Sequence, residues 1–345
     1  YPQIANSIEL MMNTFNMPIT LELWNNFKAL TNKGILVENS SNSKIKGGGL
    51  GQLSLKHEAA GKIRVFAIVD GWTQSALRPL HNYLFRILKS LPNDGTFDQY
   101  ASIKRCFIKA EKSGCSYGYD LSAATDRLPI LLQKAILSIL FSKEFSESWA
   151  TILIDRTYLL NLDDKFAKEQ SLDTTLRLRY AVGQPMGALS SWAMLALTHH
   201  FLVQLAARRA YGIKLPEGES WFANYEVLGD DINIFDTLVA KHYLDIMSEI
   251  GVPINVSKSV VASNSSFEFA KVTGHRNKDV SALSWQMFIS QNTAMGRTNI
   301  AFSLLKKNIH SSRPVAWLRS LFSRTRFDLG SLNLSYLALL SMLAT

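Results

Sequence analysis

The sequence predicts a mixed α+β fold in which an antiparallel sheet is flanked by helices. In the segment YEVLGDDINIF (residues 225–235), two short apolar stretches surround a glycine turn, a pattern typical of a β-hairpin. Apolar residues recur at helical spacing in residues 73–91, and a long apolar helix is predicted directly after residue 191. Hairpin strands and long helices in one chain together indicate an α+β protein.

Length and composition are those of an ordinary globular protein. The chain has 345 residues, 47% apolar and 19% charged, so one or two compact units are expected. The net charge of +9 and the pI near 9.4 favour a polyanionic partner, either nucleic acid or an anionic membrane surface. Polar residues, including His199 and His200, interrupt the longest apolar run, residues 192–207, so no membrane span is predicted.

The cysteines and the first residues narrow the class of protein further. Cys106 and Cys115 fit neither a zinc-site spacing nor a disulfide framework, so free thiols in a reducing compartment are expected. The first residues show no secretion signal and no Arg-rich presequence, and the chain begins at Tyr1 without a methionine, as a fragment would. No sequence feature points to an obligate protein partner.

The local patterns predict the elements in chain order. They are a mobile loop (40–51), a strand (61–70), a helix (73–91), a strand (116–120), a helix (126–141), a glycine loop (181–191), the apolar helix, the hairpin (225–235), a helix (239–250), a turn (251–253) and a strand (266–272). Side chains alternate along a strand, so Lys62 and Arg64 share one face. Gly183 and Gly187, with Pro185 between them, predict a loop whose backbone approaches another group closely.

The hairpin turn carries two adjacent carboxylates, Asp230 and Asp231. Like charges about 4 Å apart repel by roughly 4 kcal/mol at an effective dielectric near 20, and a divalent cation would compensate them. The alternative is a solvated Asp-Asp turn. Another acidic pair, Asp163-Asp164, has no preceding glycine and no following apolar strand, and predicts a polar surface loop.

A second strand also ends in an acid, Asp120, and Asp126 follows it in DLSAATD. Two strand-end carboxylates that are distant in sequence suit a pair of cations about 3.5–4 Å apart, as used in nucleotidyl transfer. Lys62 and Arg64 are the residue types that hold a triphosphate. The structural alternatives are a helix N-cap for Asp120 and Asp126, and exposed strand charges for the two basic residues.

The ordered motifs resemble those of viral RNA-dependent RNA polymerases, most closely the mitovirus, narnavirus-like, branch. The resemblance covers about residues 52–272 and is carried by GKIRVFAIVDGWTQSALRPLH, YDLSAATDRLPI, YAVGQPMGALSSWAMLALTHH, YEVLGDDINIFD, GVPINVSKS and FEFAK. It implies a right-hand architecture with fingers at 1–115, a palm at 116–284 that contains a fingers-type insertion at about 142–180, and a partial thumb at 285–345. It also implies RNA template and nascent RNA, NTPs, two Mg²⁺ or Mn²⁺ ions, and residence in the host mitochondrion.

The resemblance assigns roles residue by residue. They are metal binding by Asp120, Asp230 and Asp231; catalytic protonation of pyrophosphate by Lys258; NTP binding by Lys62, Arg64, Asp126, Ser190 and Ser191; a loop beside the template and nascent base pair at Gly183, Gln184 and Gly187; and a primer grip at Phe269 and Lys271.

Two departures leave the ribose contact open. Five residues separate Asp120 from Asp126 where better-known relatives have four, and Leu195 stands where many relatives have asparagine. Two alternatives to an RNA polymerase are kept. A reverse transcriptase shares paired acids but prefers dNTPs, and a host-captured remnant binds RNA without catalysis.

Overall fold

A computed structural model describes residues 2–32, 50–58, 61, 63–212, 215, 219–290, 299–300, 303–304 and 307. Lys62, most of the loop predicted at 40–51, and most of the thumb predicted at 285–345 lie outside the described residues. The helices are α1 (Pro2–Thr14), α2 (Pro18–Asn32), α3 (Gly71–Ser90), α4 (Gln99–Ser113), α5 (Ala124–Arg127), α6 (Ile130–Leu140), α7 (Lys143–Ile154), α8 (Asp164–Glu169), α9 (Ser191–Tyr211), α10 (Thr237–Glu249) and α11 (Trp285–Ser290). The strands are β1 (Gly51–His57), β2 (Ile63–Val69), β3 (Ser116–Asp120), β4 (Tyr158–Asn161), β5 (Thr175–Leu178), β6 (Tyr225–Leu228), β7 (Asp231–Ile234), β8 (Val260–Ala262), β9 (Ser266–Phe269), β10 (Val272–His275) and β11 (Lys278–Asp279).

The mixed α+β prediction is confirmed, and the predicted hairpin, β6 and β7, forms one side of an antiparallel sheet. This central sheet has the order β6-β7-β3-β8, and every pairing in it is antiparallel. Asp120 pairs with Asp231, and Tyr119 pairs with Ile232. Because directly opposite residues in a sheet point to the same face, the register places the two aspartates side by side.

The two faces of the central sheet differ in what covers them. Tyr119 and Ile232 are buried with the apolar side chains of α9 and α10, and Tyr119 stacks on Tyr243 with ring centroids 5.7 Å apart. The opposite face carries Asn233, whose Nδ2 donates to the Glu268 carbonyl at 3.0 Å. The aspartates therefore lie on the face covered by the β9–β10 hairpin.

Helix α4 packs on this same face through a buried charge. Glu226 on β6 is fully buried, and Arg105 donates from Nε and Nη2 to its two carboxylate oxygens at 2.8 Å each. Lys109 Nζ lies 2.7 Å from Oε1, and the Ser102 hydroxyl donates to Oε2. Hydrogen bonding to Glu226 raises the pKa of Arg105, and burial lowers the pKa of Lys109. This network fixes α4 against the strand that precedes the acidic turn.

A second sheet has the order β2-β1-β4-β5 and supports the predicted basic strand. Strand β2 lies within the predicted range, and β1, which begins at Gly51, was not predicted. Residue Gly51 lies against the ring of Tyr158, where an added Cβ would be 2.5 Å from Cδ1, so a larger residue would disturb the contact. The low apolar content before Gly51 concealed this strand.

Two predicted elements differ from the structure. The helix predicted over 126–141 is two helices, α5 and α6, because Pro129 restricts Leu128 to an extended conformation and lacks an N–H. The single strand predicted over 266–272 is wrong: β9 and β10 form a hairpin around Ala270 and Lys271. Both turn residues have positive φ, of 51° and 64°, which alanine and lysine rarely adopt.

Candidate active site

Side chains of α9 contact the turn between β6 and β7 and hold it in place. Gly229 has φ +65°, and an added Cβ would lie 2.9 Å from Nε1 of the Trp192 indole. The Gly229 carbonyl is 2.8 Å from Nδ1 of His199, whose Nε2 is 2.7 Å from the Tyr243 hydroxyl. Glycine is thus required both for the backbone conformation and for the close contact with Trp192.

Three predicted aspartates line one cavity of about 250 Å³ at this turn. Asp120 ends β3, Asp230 is exposed in the turn, and Asp231 begins β7. The lining residues are Gly118, Tyr119, Asp120, Asp230, Asp231, Lys258, Val260, Glu268 and Lys271. The structure therefore brings together the three acids and two of the predicted basic residues. It adds Glu268, which the sequence reasoning missed although it lies inside the FEFAK motif.

The pKa of Asp231 is raised from its ordinary value to about 6, and burial is the largest of the causes that together give this value. The negative charges of Asp230, Glu268 and Asp120 also raise it, while the Ala270 N–H, which donates to Oδ2 at 2.7 Å, lowers it. Carboxylate oxygens are the ligands that Mg²⁺ and Mn²⁺ prefer, so the acidic cavity fits divalent cations by donor type and by charge. In the described parts of the chain, no three His, Cys, Asp or Glu side chains are already arranged as a metal-binding group, so the cavity has the right donor type and charge but not a completed set of ligands.

The β9–β10 turn fixes Asp231 through its backbone. Ala270 donates the hydrogen bond to Asp231, and the exposed Lys271 follows it at the cavity. Phe269, predicted as part of the primer grip, is fully buried with Phe235 and Cys106. Its side chain therefore packs the hairpin, and Lys271 is the member of this pair that faces the site.

The turn that carries Lys258 is attached to the end of β3. Asn255 donates its N–H to the Asp120 carbonyl at 2.8 Å, and Asp120 donates its own N–H to the Ser259 hydroxyl at 3.2 Å. The exposed Lys258 lies between these two anchors. Lys258 and Asp120 therefore line the same cavity, and the role of Lys258 in protonating pyrophosphate stays a prediction.

The glycine loop approaches protein backbone closely at both glycines. An added Cβ would lie 2.1 Å from the Thr125 carbonyl at Gly183, and 2.4 Å from the Ala67 carbonyl at Gly187, where φ is +118°. The loop therefore joins α5, which contains Asp126, to β2, the strand of Arg64. The Asp126 side chain is exposed, yet the surrounding protein partly desolvates its carboxyl and raises its pKa against the attraction of Arg127.

Three polar residues of this loop are buried. Gln184 is fully buried, and its Nε2 donates to Gln133 Oε1 at 2.7 Å and to the Ser191 carbonyl at 2.9 Å. The Ser190 hydroxyl accepts a hydrogen bond from Trp149 Nε1 at 3.0 Å, and Ser191 is also buried. A ribose contact by either serine stays a prediction, and at Ser190 it would compete with the bond to Trp149.

Arg64 lies on β2 opposite Lys56, and its Nε donates to Glu58 Oε1 at 2.8 Å. This pair is partly exposed, so solvent weakens it and the guanidinium can exchange partners at little cost. The described lining of the acidic cavity includes none of the other predicted NTP and template residues: Arg64, Asp126, Gly183, Gln184, Gly187, Ser190 and Ser191. The structure therefore groups those residues around the glycine loop and β2.

We expect Gly183→Ala to destabilise the protein by about 1–3 kcal/mol, because the new methyl group meets the fixed carbonyl of Thr125. The measurement is the thermal or urea unfolding midpoint. Gly71→Ala is the matched control, since nothing lies within 4 Å of an added Cβ there and φ is ordinary. Equal midpoints for the two variants would show that the loop moves freely away from Thr125.

His199 predicts a pH dependence of stability. Burial lowers its pKa from 6.5 to about 4, so the folded protein keeps the ring neutral while the unfolded chain takes up a proton. Stability is therefore retained above pH 6.5 and is lost as the pH falls toward 4, by roughly 2–3 kcal/mol between pH 7.5 and 4.5.

Denaturant unfolding at several pH values measures this dependence. Between pH 7.5 and 4.5, His199→Gln should lose less unfolding free energy than the wild type, by about that amount, whatever its overall stability. His242→Gln, at a partly exposed histidine on α10, is the control and should keep the wild-type slope. The same slope in all three proteins would rule out His199 as the source.

The fold and the site together define an α+β protein with a carboxylate-lined cavity at a β-hairpin turn. Comparison with known proteins then gives the family: the profile of the mitovirus RNA-dependent RNA polymerase family matches residues 2–329. The chain belongs to this family. Among the helices that the structure describes, none has the length and apolar character needed to cross a membrane.

Individual relatives agree with this membership. An RNA-directed RNA polymerase of Cryphonectria parasitica mitovirus 1 is 41% identical over 264 residues, which are 75% of this chain and 30% of that protein. The chain thus spans under a third of that relative. An uncharacterized mitochondrial protein of Arabidopsis thaliana is 33% identical over 218 residues, 63% of this chain and 82% of that protein. A telomerase structure from Candida tropicalis matches with a TM-score of 0.46 and 13% identity over 76% of this chain and 60% of that one.

Proposed function

We propose that this chain is the catalytic part of an RNA-directed RNA polymerase that adds nucleotides from NTPs to an RNA 3′ end. One observation carries the proposal: Asp120 and Asp231 are opposite on the adjacent strands β3 and β7, Asp230 is in the turn that precedes β7, and all three line one cavity. Family membership supports the same activity. The proposed substrates are an RNA template, nascent RNA and NTPs.

The residues of the cavity would act by position and charge. Asp120 and Asp230 would hold two divalent ions, with Asp231 assisting from its bond to Ala270. When bound, the ions would lower the pKa of the attacking 3′-hydroxyl and neutralise the leaving pyrophosphate. Lys258 would donate a proton to the pyrophosphate, and Lys271 would attract the phosphates of the primer end.

The remaining residues would position the incoming nucleotide. Arg64, with Lys62, would contact the triphosphate, and its exposed pair with Glu58 is easily exchanged. Asp126 would accept hydrogen bonds from the ribose hydroxyls. The glycine loop supports this grouping, since it connects the turn of Asp126 to the strand of Arg64.

In this proposal the central sheet is the palm, within residues 116–284, the chain before it forms the fingers, and residues 285–345 begin the thumb. Membership of the mitovirus polymerase family also suggests replication of a mitovirus-like genome in the host mitochondrion. The similarity to a mitochondrial protein of Arabidopsis thaliana is consistent with this location.

The test is incorporation of labelled NTPs on a single-stranded RNA template with Mg²⁺ or Mn²⁺. We expect template-dependent product, and little product when dNTPs replace NTPs. Faster incorporation of dNTPs would favour a reverse transcriptase. The full chain is used throughout, and chelation with EDTA should stop the reaction.

A second candidate is a non-catalytic RNA-binding remnant captured by a host genome. The match to a mitochondrial protein of Arabidopsis thaliana is the observation that favours considering it. The retained acids at positions 120, 230 and 231 favour catalysis. RNA binding without product in the incorporation assay would instead establish the remnant.

A further inference from the structure

An open groove of about 500 Å³ lies on the side of α3 and is separate from the acidic cavity. We call it the aromatic groove. Its lining residues are Phe15, Pro79, Asn82, Phe85, Arg86, Lys89 and Phe97. Phe97 is 53% exposed, which leaves its ring available to a ligand.

The aromatic groove is connected to the acidic turn by stacked rings. Phe97 meets Phe85 edge to face at 5.9 Å, and Phe85 stacks on Trp192 at 5.8 Å with an interplanar angle of 16°. Trp192 in turn lies against Gly229, directly before Asp230. The floor of the groove and the support of the acidic turn are therefore one packed column of aromatic side chains.

The charges of the groove are complementary to a polyanion. Asn82, Arg86 and Lys89 are exposed and recur every three or four residues, so they lie on one face of α3. Among the described lining residues, the two charged ones are both basic. Lys89 Nζ is 5.8 Å from the centre of the Phe97 ring, so a cation and an open aromatic face are presented together.

We propose that the aromatic groove binds a single-stranded segment of RNA. A base stacks on Phe97, and neighbouring phosphates contact Arg86 and Lys89. Aromatic stacking combined with backbone charge is how proteins hold single strands without reading their sequence. The choice of RNA as the ligand rests on the proposed function. The location of the binding site rests on the residues of the groove.

The test is fluorescence anisotropy of a labelled oligouridylate with the full chain. Phe97→Ala should weaken binding about fivefold or more, as expected for loss of one stacked base. The double variant Arg86→Ala, Lys89→Ala should weaken binding and make the log–log salt slope shallower by about 1.4, since each phosphate contact on a single strand contributes about 0.7.

Matched controls come from other surfaces of the protein. Phe166→Ala removes a phenylalanine of similar exposure, 50%, on α8, and Lys112→Ala removes an exposed lysine on α4. Thermal unfolding midpoints check that Phe97→Ala remains folded. Groove variants that bind RNA no more weakly than these controls would overturn the proposal.

Failure of the groove and failure of the polymerase proposal are distinguishable. Groove-dependent binding without NTP incorporation supports the groove and rejects catalysis by this chain. If the wild type incorporates NTPs but the substitutions at Phe97, Arg86 and Lys89 leave RNA binding unchanged, the groove proposal is rejected. The polymerase proposal is then unaffected.

Discussion

Replacing Asp230 with asparagine is expected to reduce NTP incorporation about a thousandfold. The substitution keeps the size of the side chain and removes one negative charge from the cavity shared with Asp120 and Asp231. Loss of a metal-binding carboxylate is worth several kcal/mol of transition-state stabilisation, and about 4 kcal/mol corresponds to this factor. The measurement is the initial rate of labelled NTP incorporation at saturating Mg²⁺ or Mn²⁺.

Asp163→Asn is the matched control for Asp230→Asn. Asp163 also belongs to an Asp-Asp pair, and its side chain caps α8, a role that asparagine performs equally well. We expect wild-type rates from this variant. A comparable loss in both variants would mean that the assay reports overall charge or folding, and equal activity of Asp230→Asn and wild type would remove Asp230 from the mechanism.

The largest expected effect on stability comes from Glu226→Gln. The substitution leaves Arg105 and the largely buried Lys109 without their counter-charge inside the protein. Breaking a buried ion pair by removing one partner costs about 3–5 kcal/mol, because the remaining charge is uncompensated. Denaturant unfolding should therefore show a large decrease in the midpoint, and α4 should detach from β6 first.

Glu249→Gln provides a control with the same bond geometry at the surface. Arg209 donates to both oxygens of Glu249 at 2.7 and 2.8 Å, but both side chains are solvated. Water replaces the lost contact there, so little change in stability is expected. If the two variants unfold alike, burial does not strengthen the Glu226 network and the assigned packing of α4 is incorrect.

The elements predicted correctly depend on short-range patterns. The hairpin around Gly229 follows from alternating apolar residues and one glycine, and α3 follows from apolar spacing within 73–91. The break at Pro129 was missed by the single helix predicted over 126–141, although proline restricts the residue before it and so marks the break in the sequence. The turn at Ala270 and Lys271 was not readable, because neither residue type favours positive φ and the hairpin is stabilised by distant contacts with Asp231 and Asn233.

Two histidines show how packing decides the role of a residue. His199 and His200 are satisfied core histidines: His199 bonds to the Gly229 carbonyl and Tyr243, and His200 bonds to Tyr225 and Asp94. The residue types alone would equally suit a metal site. Their partners lie 25 or more residues away along the chain, so no local pattern marks them.

The sequence by itself determined the α+β class, the acidic hairpin, the basic strand and the family resemblance. Each of these depends only on neighbouring residues or on the order of short motifs. Only the tertiary structure decided that Asp120 is opposite Asp231, that Glu268 joins their cavity, that Glu226 binds α4, and that an aromatic column links Phe97 to the acidic turn. These relations depend on strand register and on side chains that are far apart in the chain. Register and long-range packing are set by burial of the whole core, which no local pattern contains.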